Sequence, residues 1–87
     1  MKIKDGFMLR QIAGSYVVIA YGKNAVDFNG MISLNDTGAF LWKKISEGRT
    51  RDELVSDLLE EYSVDKSVAQ KDVDAFLKKI EDAGVAE

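Results

Sequence analysis

The spacing of apolar residues changes once along this chain, at Asn35, and that change sets the order of its secondary structure. Before it, Phe7–Ile12 and Ser15–Ala20 are short runs rich in Val, Ile, Tyr, Phe and Leu, types that suit a half-buried pleated surface. Ala13-Gly14 between them reads as a tight turn. The two runs therefore form a hairpin, with Tyr16, Val18 and Ala20 on one face and Val17 and Ile19 on the other. Gly22-Lys23-Asn24 breaks the second strand, and Asn29-Gly30 marks a turn before a third short strand, Met31-Ile32-Ser33-Leu34. Val26-Asp27-Phe28 reads either as a separate strand stub or as the start of that third strand.

After the change, Asn35-Asp36-Thr37 can cap a helix in which Gly38, Leu41, Trp42 and Ile45 follow the i, i+3, i+4, i+7 spacing of a buried stripe. Trp42 is therefore expected in the core, and Gly48 ends the helix. Thr50-Arg51-Asp52-Glu53 is a capping box that opens a second helix. Its apolar face is Leu54, Val55, Leu58, Leu59 and Tyr62, and its predicted solvent face carries Asp52, Glu53, Asp57, Glu60 and Glu61. A third helix starts near Asp65 or Ser67 and runs to about Ala83, with Ala69, Val73, Phe76, Leu77 and Ile80 as its stripe. Gly84 fits the left-handed position where such a helix ends.

Three strands followed by three helices predict an α+β fold, a three-stranded antiparallel sheet with one face covered by helices. The same order describes a winged helix-turn-helix. With 87 residues, 46% hydrophobic and 31% charged, the expectation is a single domain over residues 1–87. A domain of this size buries only about 60–65% of the surface its unfolded chain exposes, so a partner or a second copy would add stability.

Composition narrows the function. With no Cys and no His, the chain lacks the imidazole base, the thiolate nucleophile and the soft metal ligands. Neither an enzyme activity nor a metal or other cofactor is expected. The acids Asp57, Glu60, Glu61, Asp72 and Asp74 fall on predicted solvent faces, with nothing to raise a carboxyl pKa. The glycines are dispersed singly and form no phosphate-binding loop. The charged opening Met1-Lys2-Ile3-Lys4-Asp5 and the lack of an 18-residue apolar stretch predict a cytoplasmic chain with no membrane contact.

A winged-helix nucleic-acid-binding regulator is the alternative reading, and it requires a basic recognition helix. Residues 64–87 carry four Lys against six acids, and the second helix one Arg against five. Those faces repel phosphate, so no nucleic-acid partner is expected. The sheet edge offers another partner. Met31–Leu34 contains no Pro and no charge, so an extended peptide can add beside it. A second copy of the chain could pair at the same edge as a homodimer, a third reading that is compatible with peptide binding.

The run Gly30-Met31-Ile32-Ser33-Leu34-Asn35-Asp36-Thr37-Gly38-Ala39-Phe40-Leu41-Trp42, then Glu47-Gly48, Thr50 through Leu58-Leu59, Asp72-Val73, Phe76-Leu77 and Ala83-Gly84-Val85, in that order and spacing, resembles the PqqD-like family. The resemblance spans nearly the whole chain. It implies a peptide-recognition element of ribosomally synthesised, post-translationally modified peptide pathways, a non-catalytic adaptor that binds a precursor's leader and presents it to a separate modifying enzyme. It further implies that the leader adds as an antiparallel strand at Met31, Ile32, Ser33 and Leu34, against a wall made by Val73, Phe76, Leu77 and Ile80 of the third helix. Strand side chains alternate, so Met31/Ser33 and Ile32/Leu34 face opposite ways and only one set can face the helices. Lys71, Lys78 and Lys79 flank the helical stripe, where they could meet leader acids.

Overall fold

A computed structural model describes residues 2–22 and 32–86. Three strands, β1 (Phe7–Ile12), β2 (Ser15–Ala20) and β3 (Ile32–Leu34), form an antiparallel sheet in that order. Three helices follow, α1 (Asp36–Ser46), α2 (Arg51–Glu61) and α3 (Lys66–Asp82). The element order is the one the change at Asn35 predicts. Met31, the Asn29-Gly30 turn and the Val26-Asp27-Phe28 segment lie outside the described residues.

The β1–β2 connection fixes which way every backbone group in the sheet points. Ala13 and Gly14 have φ of 51° and 82°, the left-handed pair of a two-residue hairpin turn. Such a turn makes Ile12 and Ser15 a hydrogen-bonded pair, and bonded and non-bonded pairs alternate from there. Val17 therefore bonds across to Arg10, its register partner, while Tyr16 and Val18 turn their amides and carbonyls toward β3. The Tyr21 amide, donating to the Gly6 carbonyl at 2.8 Å, continues the same alternation past the strand end. Left-handed backbone is unfavourable for alanine by about 1 kcal/mol and is tolerated better by Asn. Ala13→Asn is expected to stabilise the fold by about 0.5–1 kcal/mol, read as a higher urea midpoint with an unchanged slope.

The register places Leu9, Val18 and Ile32, and likewise Tyr16 and Leu34, side by side on the face that meets the helices. Val18, Ile32 and Leu34 are buried there, and Ser33 is exposed on the opposite face. Leu41, Trp42 and Ile45 of α1, Leu54, Val55 and Leu58 of α2, and Val73, Phe76 and Ile80 of α3 complete the core. Trp42 is 4% exposed, as its place on the stripe implies.

Caps set the helix ends. The Asn35 carboxamide oxygen accepts from the Gly38 amide at 2.8 Å, and Thr50 and Glu53 form both bonds of the capping box. Asp65 is the first flanking residue of α3, without a side-chain bond to the helix. At the other end Gly84 has φ 76°, its amide donates to Glu81, and the Val85 amide donates back to Ile80. Those two bonds, with Val85 and Ile80 both fully buried, make a Schellman cap. Val85 then accepts from the Lys4 amide at 2.9 Å, which ties the start of the chain to the end of α3.

Asp57 corrects the sequence reading, which put it on the solvent face of α2. It is 8% exposed, because the Arg49 guanidinium reaches over from the α1–α2 loop and donates to both carboxylate oxygens at 2.8 and 2.7 Å. Those bonds hold the Asp57 carboxyl below its ordinary range. A depressed folded pKa stabilises the fold fully above the unfolded value of about 3.9, and that contribution is lost as pH falls through the lower folded value. Asp57→Asn is expected to lower stability by about 1–2 kcal/mol at pH 7 and to flatten the loss of stability below about pH 4, checked by urea unfolding across pH. Among the described residues no helix is long and apolar enough to cross a membrane.

Candidate functional site

The backbone alternation set by the hairpin turn determines what β3 offers at its outer side. Tyr16 and Val18 bond Leu34 and Ile32, so Ile32 and Leu34 use their amides and carbonyls on β2. Ser33, opposite Val17, turns its amide and its carbonyl the other way, out from the sheet. The Lys79 ammonium of α3 donates to that Ser33 carbonyl at 2.6 Å. Ser33 is thus the point at which the edge of the sheet presents a donor and an acceptor together.

Beside this edge lies a cleft of about 550 Å³, bounded by β3, the first turn of α1 and one face of α3. That volume falls in the range of sites that take a few side chains or a small ligand, about 300–1,000 Å³. Leu34, Leu41 and Phe76 give it buried apolar surface, and Asn35, Thr37, Asp72 and Lys79 its polar groups. Two small residues keep it open. Ala75 stands on the α3 side, and Gly38 lets α1 start directly against β3, since a Cβ there would lie 3.3 Å from two Leu34 carbons and 3.2 Å from the Asn35 oxygen.

The residues expected to carry the site separate into three groups. Ile32 and Leu34 are buried on the helix face of β3, and Ser33 sits at the edge, while Met31 lies outside the described residues. Phe76 lines the cleft at 6% exposure. Val73 and Ile80, placed in the wall by the family resemblance, have no exposed surface and pack the core, and Leu77 is half-buried against the same cluster. The surface α3 turns to the cleft is Asp72, Ala75, Phe76 and Lys79, itself an i, i+3, i+4, i+7 set one position round from the stripe. That spacing is present in the sequence. Its polar and small members read as a solvent face, so periodicity alone does not single out Ala75.

The charges near the cleft differ in how they are held. Asp74 accepts two bonds from Arg51, both 2.9 Å, which pin α3 to the first turn of α2 and keep the Asp74 carboxyl below its usual range. Lys78 pairs with Asp82 at 3.4 Å. Among the described residues neither Asp72 nor Lys79 forms an ion pair. Asp57 and Asp74, two of the acids weighed as catalytic groups, are both lowered in pKa by arginine, the opposite of what proton transfer near neutrality needs.

Two solved structures are similar to this chain over its length. "TbiB1 in Complex with the TbiA(beta) Leader Peptide" is 25% identical with a TM-score of 0.80, covering 100% of this chain and 95% of that one. "Lasso peptide synthetase B1 complexed with the leader peptide" is 21% identical with a TM-score of 0.77, covering 99% and 95%. No curated protein sequence matches significantly. The model of the family described as Coenzyme PQQ synthesis protein D (PqqD) matches residues 15–86, from the start of β2 through the cap of α3. The chain belongs to the PqqD family.

Proposed function

We propose that this chain is a non-catalytic adaptor, which binds the leader of a precursor peptide as an added strand along β3 and presents it to a separate peptide-modifying enzyme. The observation that carries the reading is the outward amide and carbonyl of Ser33 beside a cleft of mixed apolar and polar lining. An extended peptide gains backbone bonds at such an edge and specificity from alternate side chains that enter the pockets beside it. Family membership supports the same use, as do the leader peptides that the two similar structures hold.

Antiparallel addition pairs one peptide residue with Ser33 and points that residue's side chain to the exposed face of the sheet, as Ser33 does. Its two neighbours then face α3, where Leu34, Leu41 and Phe76 can receive apolar groups. The chain's own part is to bind and orient, with chemistry left to the enzyme. Such an adaptor works where precursors are made, in the cytoplasm. Isothermal titration with the short peptides encoded beside this chain is the test. Saturable one-to-one binding of one of them is expected, and no binding by any of them would overturn the reading.

A further inference from the structure

We propose that Lys79 is a selectivity gate on this edge: its ammonium holds the Ser33 carbonyl until an incoming strand supplies a carboxylate to receive it, so the site selects peptides with an acidic residue at one register position. The inference rests on the reading of β3 as the peptide-binding edge. It starts from the bond itself. The Ser33 carbonyl is the acceptor an added strand needs, and Lys79 donates to it at 2.6 Å. A peptide amide that takes this acceptor must share or displace a charge-assisted bond, the stronger kind.

Among the described residues the Lys79 ammonium forms no ion pair, and Asp82, the acid three residues on, is taken by Lys78. Asp72, the acid on the same face of α3, lies seven residues away, about 10.5 Å along a helix axis. A carboxylate on the incoming strand receives the displaced ammonium if it faces α3. That places it next to the residue paired with Ser33, with apolar residues two positions away for the cleft. The same bond guards the edge against self-pairing. Ile32, Ser33 and Leu34 carry no carboxylate, so two β3 edges meeting would strip Lys79 of its partner in both copies.

The test is selection of a displayed random decapeptide library on the full chain, the Lys79→Gln chain and the Lys79→Glu chain. The unaltered chain is expected to enrich Asp or Glu at one position, two residues from an apolar one. Lys79→Gln should weaken that preference about two- to fivefold, the scale of a partly exposed ion pair, and Lys79→Glu should replace it with Lys or Arg. An acidic preference that survives Lys79→Glu, or peptides enriched on the unaltered chain without one, would overturn the gate and leave peptide binding standing. No enrichment on the unaltered chain would overturn both. Lys79 is exposed, and circular dichroism checks that the variants fold; the neutral Gln variant decides the outcome if the Glu variant does not.

Discussion

Ser33→Pro is expected to weaken peptide binding severely while leaving the sheet in place. Proline removes one amide hydrogen and sets a ring where it stood. At Ser33 that hydrogen points out of the sheet, so no bond between β2 and β3 is lost, and an edge strand is where a sheet accepts proline. The preceding residue must stay extended, and Ile32 is already in strand. The expected cost to stability is about 1 kcal/mol, from drawing an extended strand residue toward the φ of about −65° that proline requires. A peptide strand, by contrast, loses a backbone bond and meets the ring, so its affinity should fall about 30- to 100-fold, or 2–3 kcal/mol. Ser33→Ala keeps both backbone groups and changes only a side chain on the far face. It should bind within about twofold of the unaltered chain by calorimetry, since such surface changes are usually within about 0.5 kcal/mol.

Ile80→Ala should do the reverse. Ile80 has no exposed surface, and its truncation is expected to cost about 2–4 kcal/mol, a large share of the 5–10 kcal/mol available to a small domain. The thermal midpoint should fall by about 10 °C or more, while peptide affinity, measured where the variant is still folded, should hold. Ala75→Leu, one position round and exposed, should leave stability within about 0.5 kcal/mol and weaken binding by filling the cleft. The contrast separates the core stripe of α3 from the surface it turns to the edge.

These two helix faces show how far the sequence could be read. The stripe through Val73 and Ile80 was legible because apolar side chains at helical spacing must be buried, but burial against the core is what removes them from an open wall. The cleft set of Asp72, Ala75, Phe76 and Lys79 has the same spacing with mixed chemistry, and only the position of β3 tells it from a solvated face. Local signals fared best. The Asn35 cap, the Thr50 box and the Gly84 cap each act within a few residues, and each is present as the sequence implies.

Asp57 failed for the opposite reason. Its burial depends on Arg49, eight residues back across a helix junction, and a carboxylate beside other acids reads as exposed until its partner is placed. The direction of the Ser33 backbone lies between these cases. It follows from the length of the Ala13-Gly14 turn by simple alternation, but only once the register of β2 against β3 is known.

Amide hydrogen exchange at Ser33, followed with and without a saturating bound peptide, tests strand addition most directly. The account predicts that the Ser33 amide, directed away from β2, becomes strongly protected in the complex, while the Tyr16 and Val18 amides, already bonded within the sheet, change little. Saturated binding with unchanged exchange at Ser33 would contradict it, and would move the peptide to another surface of the chain.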